Sequence, residues 1–345
     1  MMRLRERLRT LLITVGAATL GILLMLLGLW LAGYAPVSVV HVWLNAAAGN
    51  RLHWAMSLQE AGPLLFAGLA TAIAFRANVL NIGVEGQYLV GAITCIACGT
   101  KLCGSPMVIA LPLALTLAMV AGALWALIAY VLERTRSVPT VLSTILLNFI
   151  SVALVSYLIE GPLHDHITSA PQTDELPSAM RLPVLIPYTK LHVGILLAFL
   201  LAGVCWLVQT RTVFGFELGV VGANDRVARL SGMRVERLRG TAMLLSGALA
   251  GLGGAIQQAG VTYYMSDSSV SYGYAGIAVA LLGRLHPAGV ALAALYFGLL
   301  DSGSRGLERD MGIPHDVGDI LKGVVTLIVL MAGLVTWRRR VQVSA

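Results

Sequence analysis

Asn78-Val79-Leu80-Asn81-Ile82-Gly83-Val84-Glu85-Gly86-Gln87 lies between two apolar runs, AGPLLFAGLATAIAF (61–75) and YLVGAITCIACGT (88–100). Three amides, a carboxylate and two glycines thus separate segments of membrane length. A carboxylate near a bilayer centre costs roughly 2.5–3.5 kcal/mol on insertion scales. Irregular backbone at that depth is tolerated only where protein groups or cavity water satisfy it. The pattern is that of a transport pathway, with Asn78, Asn81, Glu85 and Gln87 as its candidate residues and Asn148 as a further one. Two roles stay open for Glu85: contact with a solute, or a cap on backbone N–H groups freed by the Gly83–Gly86 break.

The composition sets the solvent. The chain is 57% apolar and 12% charged, an apolar excess that no water-soluble core hides. No Asp, Glu, Lys or Arg occurs between Arg9 and Arg51, and Leu11–Gly33 alone crosses roughly 30 Å of hydrocarbon. Ten spans are expected: 11–33, 61–76, 84–100, 106–132, 138–159, 191–209, 240–257, 272–284, 288–303 and 317–336. The fold class is therefore all-α, a polytopic membrane protein forming a single transmembrane domain over residues 1–345. Several spans are short or carry Gly and Pro, as broken transporter helices do.

Basic residues orient the spans. A start on the cytoplasmic side places both termini inside, together with 17 of the 24 Lys and Arg, in agreement with the positive-inside rule. Those 17 are Arg3, Arg5, Arg7, Arg9, Arg76, Arg134, Arg136, Arg211, Arg226, Arg229, Arg234, Arg237, Arg239, Arg284 and Arg338–Arg340. The net charge of +7 is then topological; the partner it implies is membrane lipid, not nucleic acid. Gly33-Tyr34-Ala35 imitates a leader cleavage site, but the apolar run is long and Pro36 would follow the cut, so an uncleaved first helix is expected.

Catalytic chemistry has no foothold. The chain lacks a Walker sequence, a nucleophile elbow and a paired-carboxylate constellation, so it is not expected to be an enzyme and implies no cofactor. Cys95, Cys98, Cys103 and Cys205 read as small packing residues, and His164-Asp165-His166 as part of a solvated outer loop, 160–190; no metal site is assigned. An ion-coupled secondary transporter is the alternative to an ATP-driven one, with Glu85 and Lys322 as coupling charges. A channel or a purely structural membrane protein ranks behind both.

One polar island faces the inner side, TRTVFGFELGVVGANDRVARLSGMRVERLR (210–239), with six Arg against Glu217, Asp225 and Glu236. Within it Asn224 is placed as an N-cap, Asp225 opens the first turn, and Gly232 ends the helix. Val227 and Leu230 share one face, Arg226 and Arg229 the next. Two turns are marginal alone, so packing must hold them, and the exposed face suits a cytosolic partner.

Asn81-Ile82-Gly83-Val84-Glu85-Gly86-Gln87 resembles the signature of permease subunits of bacterial ABC importers in the branched-chain amino acid and simple-sugar superfamily, and within it the nucleoside subgroup. Further segments agree in order: Val141–Ile150 with that family's fifth helix, and Gly222-Ala223-Asn224, Ala228 and Gly232-Met233 with its cytoplasmic coupling loop. Leu245–Gly254 and Tyr274–Gly283 are similar to the helix that follows and to the eighth helix. The likeness runs from about residue 60 to 335. Where many relatives carry an Asn-Glu pair ahead of the fifth helix, this chain has Pro139-Thr140, so no role of that pair transfers.

The resemblance implies a ten-helix permease of the bacterial inner membrane that pairs with a second permease, sits on two ATP-hydrolysing subunits and receives its solute from an external binding lipoprotein. The solute would be a nucleoside or a simple sugar, with branched-chain amino acids third. The island would then be the coupling loop, with Asn224, Asp225, Arg226, Val227, Arg229, Leu230, Gly232 and Met233 meeting the ATPase, and loop 160–190 would be periplasmic. Gly83-x-x-Gly86 and Gly273-x-x-Gly276 are echoes that suggest an inverted repeat of helices 2–5 and 7–10. Gly247, Gly251 and Gly254 have the spacing of close helix packing. Gln257, Gln258, Tyr263, Tyr264 and Tyr272 form a polar-aromatic group that suits an outer vestibule.

Overall fold

The computed structural model describes residues 16, 19–21, 23–102, 106–165, 167, 170–266, 271–314, 316–317, 319–320, 322–324 and 326–328. Arg3, Arg5, Arg7, Arg9, Cys103, His166 and Arg338–Arg340 lie outside them. Helices dominate: α1 (Thr19–Leu31), α2 (Pro36–Ala48), α3 (Arg51–Arg76), α4 (Val84–Lys101), α5 (Met107–Arg136) and α6 (Thr140–Glu160). Then come α7 (Gly194–Arg211), α8 (Val213–Ala223), α9 (Asp225–Leu230), α10 (Val235–Gln257), α11 (Tyr272–Leu282) and α12 (Pro287–Met311). Among the described residues no strand forms; the outer loop has only isolated bridges, such as Gln172 with Ser266.

Among the described residues, five helices are long and apolar enough to cross a membrane: Arg51–Arg76, Met107–Arg136, Thr140–Glu160, Gly194–Arg211 and Val235–Thr262. The count of ten is thus not reproduced by length and composition alone. Two apolar helices, α2 and α8, fall where no span was expected, α8 inside the supposed polar island. Thr212 starts α8 by accepting the Gly215 N–H on its hydroxyl. Pro139 and Thr140 do open α6, where a proline ahead of the first turn gives up no helical hydrogen bond.

The chain divides into two compact units. In the larger, residues 61–294, α4, α5 and α10 form the centre. α5 turns a row of small residues inward, Ala110, Ala114, Ala118, Gly122, Ala126 and Ala129. Against it lie the glycines of α10: a Cβ on Gly247 would come within 2.4 Å of the Gly122 carbonyl oxygen, and one on Gly251 within 2.4 Å of that of Ala118. A Cβ on Gly254 would meet the Tyr88 carbonyl of α4 at 2.1 Å. The backbones are therefore in contact, the close approach expected of small residues between apolar helices.

At its far end α10 passes into a π-helical segment, Gln258–Thr262, stopped by Tyr263 in the left-handed region at φ 66°. The 160–190 loop folds back over this end. Its N–H groups satisfy carbonyls of the segment and of the residues just after it: Leu182 on Ala259 at 2.7 Å, Leu176 on Tyr263 at 2.7 Å and Thr173 on Met265 at 3.0 Å. Leu176 and Met180 are buried with Leu89, Ile96 and Ile159. The Arg181 guanidinium lies 4.3 Å over the Tyr263 ring. Ahead of α7, the His192 ring fills the space beside Gly194 and Gly260, and its Nδ1 accepts the Gly194 N–H at 3.1 Å.

The smaller unit comprises residues 1–60 and 295–345. α2 packs on the second half of α12: the Trp43 indole covers Gly303, Ala46 covers Gly306, and the Ser302 hydroxyl donates to the Ala46 carbonyl at 3.2 Å. Ion pairs among its described residues include Glu60 with Arg305 at 2.9 Å and Lys322 with both Asp301, at 2.6 Å, and Asp319, at 2.5 Å.

Candidate functional site

The sequence stretch of greatest interest forms a turn that reaches the middle of α10. Asn78 closes α3: at φ 56° it occupies the left-handed position of a Schellman motif, with Val79 N–H on Ala74 O and Asn78 N–H on Phe75 O, both at 3.0 Å. It is exposed and belongs to the turn, not to the polar group that follows.

Asn81 is wholly buried and wholly bonded. Its Oδ1 accepts from Gly83 N–H at 3.0 Å and Gln87 Nε2 at 3.1 Å; its Nδ2 donates to Gln87 Oε1 at 3.0 Å and to Ser246 Oγ at 2.9 Å. All four hydrogen-bonding capacities of the amide are used. Ser246 is the middle residue of α10, which places this pair at mid-helix depth.

Asn148 repeats the device from α6. Its Oδ1 accepts Gly86 N–H at 2.9 Å, and its Nδ2 donates to Ile82 O at 3.0 Å and to Tyr274 Oη at 3.1 Å. Asn81 and Asn148 are thus the caps of α4, supplying oxygens for N–H groups that a helix start leaves open. Gly83 and Gly86 are required by proximity: a Cβ at Gly83 would lie 2.9 Å from the Thr144 side chain, and one at Gly86 2.8 Å from Ser151 Oγ.

Glu85 does not cap its own break. Its Oε2 accepts Gly273 N–H at 2.7 Å, and the Tyr274 N–H also bonds to the carboxylate, so Glu85 caps the start of α11. A Cβ on Gly273 would fall 2.4 Å from the Glu85 Cα. The two glycine-marked helix starts, Gly83-x-x-Gly86 and Gly273-x-x-Gly276, therefore meet. Asn81, Glu85, Gln87 and Asn148 are each at most 3% exposed, so none faces an open passage in this conformation.

The outer polar-aromatic group is not a vestibule wall here. Gln257, Gln258 and Tyr272 are buried under the 160–190 loop and within the bundle; Gln258 accepts the Thr262 hydroxyl, and the Tyr272 ring packs 5.9 Å from that of Tyr88. Tyr263 lies beneath Arg181. Tyr263 and Tyr264 are half-buried; the loop that covers this end does so through inward residues, Leu176 and Met180, that carry no periodic signal.

At the island, the Asn224 side chain accepts N–H from Arg226 at 3.0 Å and Val227 at 3.1 Å, and Asp225 stands in the first turn. Gly232, at φ +77°, ends α9, with Met233 N–H returning to Ala228 O at 3.1 Å. Ala228 is the buried anchor, while Val227 and Leu230 are 50% and 81% exposed. Arg229 is not a free rim charge: it pairs with Glu236 and, at 3.6 Å, with Asp225. Its hydrogen bond to Glu236 raises its pKa above the usual arginine value. Arg239 also reaches Asp225, at 2.9 Å, and Arg134 reaches Glu236, at 3.3 Å. Arg226 is exposed.

Sequence reasoning missed Ser246 and Tyr274. Both lie in segments whose family likeness was legible, but nothing in the one-dimensional pattern marked them as partners of Asn81 and Asn148.

Apolar helices that start around a buried polar node define a multi-pass membrane protein of the transporter class. The chain belongs to the family described as branched-chain amino acid transport system / permease component, which matches residues 53–330. It is 36% identical over 329 residues to the guanosine ABC transporter permease protein NupP of Bacillus subtilis, covering 94% of each chain. It is 36% identical over 286 residues to the glucose ABC transporter permease protein TsgB13 of Haloferax volcanii, covering 79% of this chain and 74% of that one. With the nucleoside ABC transporter permease protein NupB of Lactococcus lactis it shares 28% over 336 residues, covering 94% and 92%.

Proposed function

We propose that this chain is the membrane-spanning subunit of an ATP-driven importer for a nucleoside or a simple sugar, in the bacterial inner membrane with both termini cytoplasmic. The observation that carries the reading is likeness along 94% of its length to a guanosine permease, with a glucose permease at equal identity over a shorter stretch. ATP hydrolysis belongs to separate subunits, since no nucleotide-binding sequence occurs here. A second permease and an external binding lipoprotein complete the assembly.

α9 supports the ATPase contact. It is too short to be stable alone, yet it is capped at both ends, anchored by Ala228, and presents Val227 and Leu230 outward. Those two apolar side chains fit a groove on the ATPase, with Arg226 at its rim. The ion-coupled alternative loses support because Lys322 is paired with Asp301 and Glu85 is occupied by backbone donors.

In membrane vesicles holding the assembled importer and its binding protein, guanosine or glucose uptake should require ATP and survive collapse of ion gradients. Uptake that follows an ion gradient without ATP would reject the reading. Replacing Val227 and Leu230 with Asp should release the ATPase or uncouple hydrolysis from uptake while the permease still inserts; normal coupling would remove the α9 contact.

A further inference from the structure

Tyr274 brings to the polar node a hydroxyl whose own proton the bond to Asn148 does not use. The orientation of the Asn148 amide is fixed, because Gly86 N–H can only donate and Ile82 O can only accept. The second Nδ2 proton then goes to Tyr274 Oη at 3.1 Å. The phenol oxygen is therefore an acceptor toward Asn148, and its own proton points elsewhere.

The depth of this hydroxyl is set by α6. Asn148 lies near the middle of a 21-residue membrane helix, roughly 30 Å long. Tyr274 is 43% exposed there, and Phe149, next to Asn148, is 67% exposed. Tyrosines that face lipid sit at the membrane–water interfaces, where the hydroxyl stays wet. A half-exposed phenol at mid-span would instead lose its hydrogen bond to hydrocarbon. The exposed α6 residues around Asn148 (Leu146, Phe149 and Ile150) are apolar, so the Tyr274 hydroxyl is a polar group set in an apolar surface, and its proton calls for a partner from outside the subunit.

We propose that Tyr274 is a specificity-determining residue of the solute route, donating its O–H to an oxygen of an uncharged nucleoside or sugar as the solute passes the α6–α11 face. Asn148 is its positioning residue: it holds the phenol oxygen as an acceptor, so that the proton is presented outward. The exposed Phe149 beside Asn148 supplies apolar surface of the kind that accompanies a few oriented polar groups in solute sites. The inference rests on the permease reading above and adds to it the residue that touches solute.

Two measurements test it, with tritiated guanosine as the transport probe and the complete importer in proteoliposomes. Tyr274→Phe keeps the ring and removes the proton; uptake should fall roughly three- to tenfold, the worth of one hydrogen bond, with unchanged abundance and elution profile. Uptake at the wild-type rate would overturn the proposal, as would a loss explained by loss of folded protein. Independently, Tyr274→Cys in a chain with Cys95, Cys98, Cys103 and Cys205 replaced by Ala should be modified by a membrane-impermeant methanethiosulfonate during turnover. Complete protection from that reagent would also overturn it. If the wild-type importer moves neither guanosine nor glucose with ATP, the permease reading fails, whereas the labelling result still reports whether Tyr274 faces water.

Discussion

Glu85 is a buried carboxylate held by backbone donors of another helix, and its neutral and truncated variants separate a cap from a solute ligand. From the residues alone a carboxylate in this position is equally a solute ligand or a local cap; the fold gives it the start of α11, on Gly273 and Tyr274 N–H. Glu85→Gln retains acceptor oxygen and should insert and accumulate as wild type. Glu85→Ala leaves buried N–H groups unpaired, at roughly 1–3 kcal/mol each, and should lower the melting temperature in detergent and reduce membrane abundance. Equal melting temperatures for the two variants would count against the cap. His192 gives a second test at this scale. Burial pushes its pKa down to about 4, so the folded protein holds it neutral. Its contribution is complete above the ordinary histidine pKa, roughly 6.5, and is lost as pH falls toward 4. Thermal stability should therefore drop more between pH 7.5 and pH 5 in the wild type than in His192→Asn, which keeps an acceptor for Gly194 but does not titrate.

At the scale of elements, legibility depended on periodicity. The spacing of Gly247, Gly251 and Gly254 announced close packing, and α10 does meet α5 and α4 there backbone to backbone. Gly251→Leu should cost about 1–3 kcal/mol or more, as overpacking in a fitted interior does, read as a lower melting temperature of the purified protein; Gly203→Leu, with open space around it, serves as the control. The short helix α9 was legible as well, because caps are local: Asn224 and Gly232 need no tertiary partner to be recognised. The 160–190 loop was not legible as a cover. Its grip comes from backbone N–H groups on carbonyls of the π-helical segment and of the residues just after it, which no side-chain pattern reports. The apolar helix α8 was hidden by the arginines around it.

For the whole molecule, hydropathy gave the solvent and the class, while the number of crossings depends on more than apolar length. α11 has 11 residues, roughly 16 Å of helix, and starts against Glu85 instead of at a membrane surface. The proposed orientation, read from charge bias, has loop 160–190 outside and residues 210–239 inside. A green fluorescent protein fused after Ala345 should therefore fluoresce, and alkaline phosphatase inserted after Ile186 should be active; the opposite pair of results would invert the topology.

Two helix starts at mid-depth would ordinarily make a phosphate-binding cradle, since their N–H groups point at any anion within reach. Here Gly83, Gly86, Gly273 and Tyr274 N–H are already satisfied by Asn81, Asn148 and Glu85 oxygens. These four donors are spent inside the protein, and the Glu85 carboxylate occupies the place that an anion would take at the start of α11. The caps thus turn two helix starts that would otherwise attract an anion into a closed joint between α4, α6 and α11.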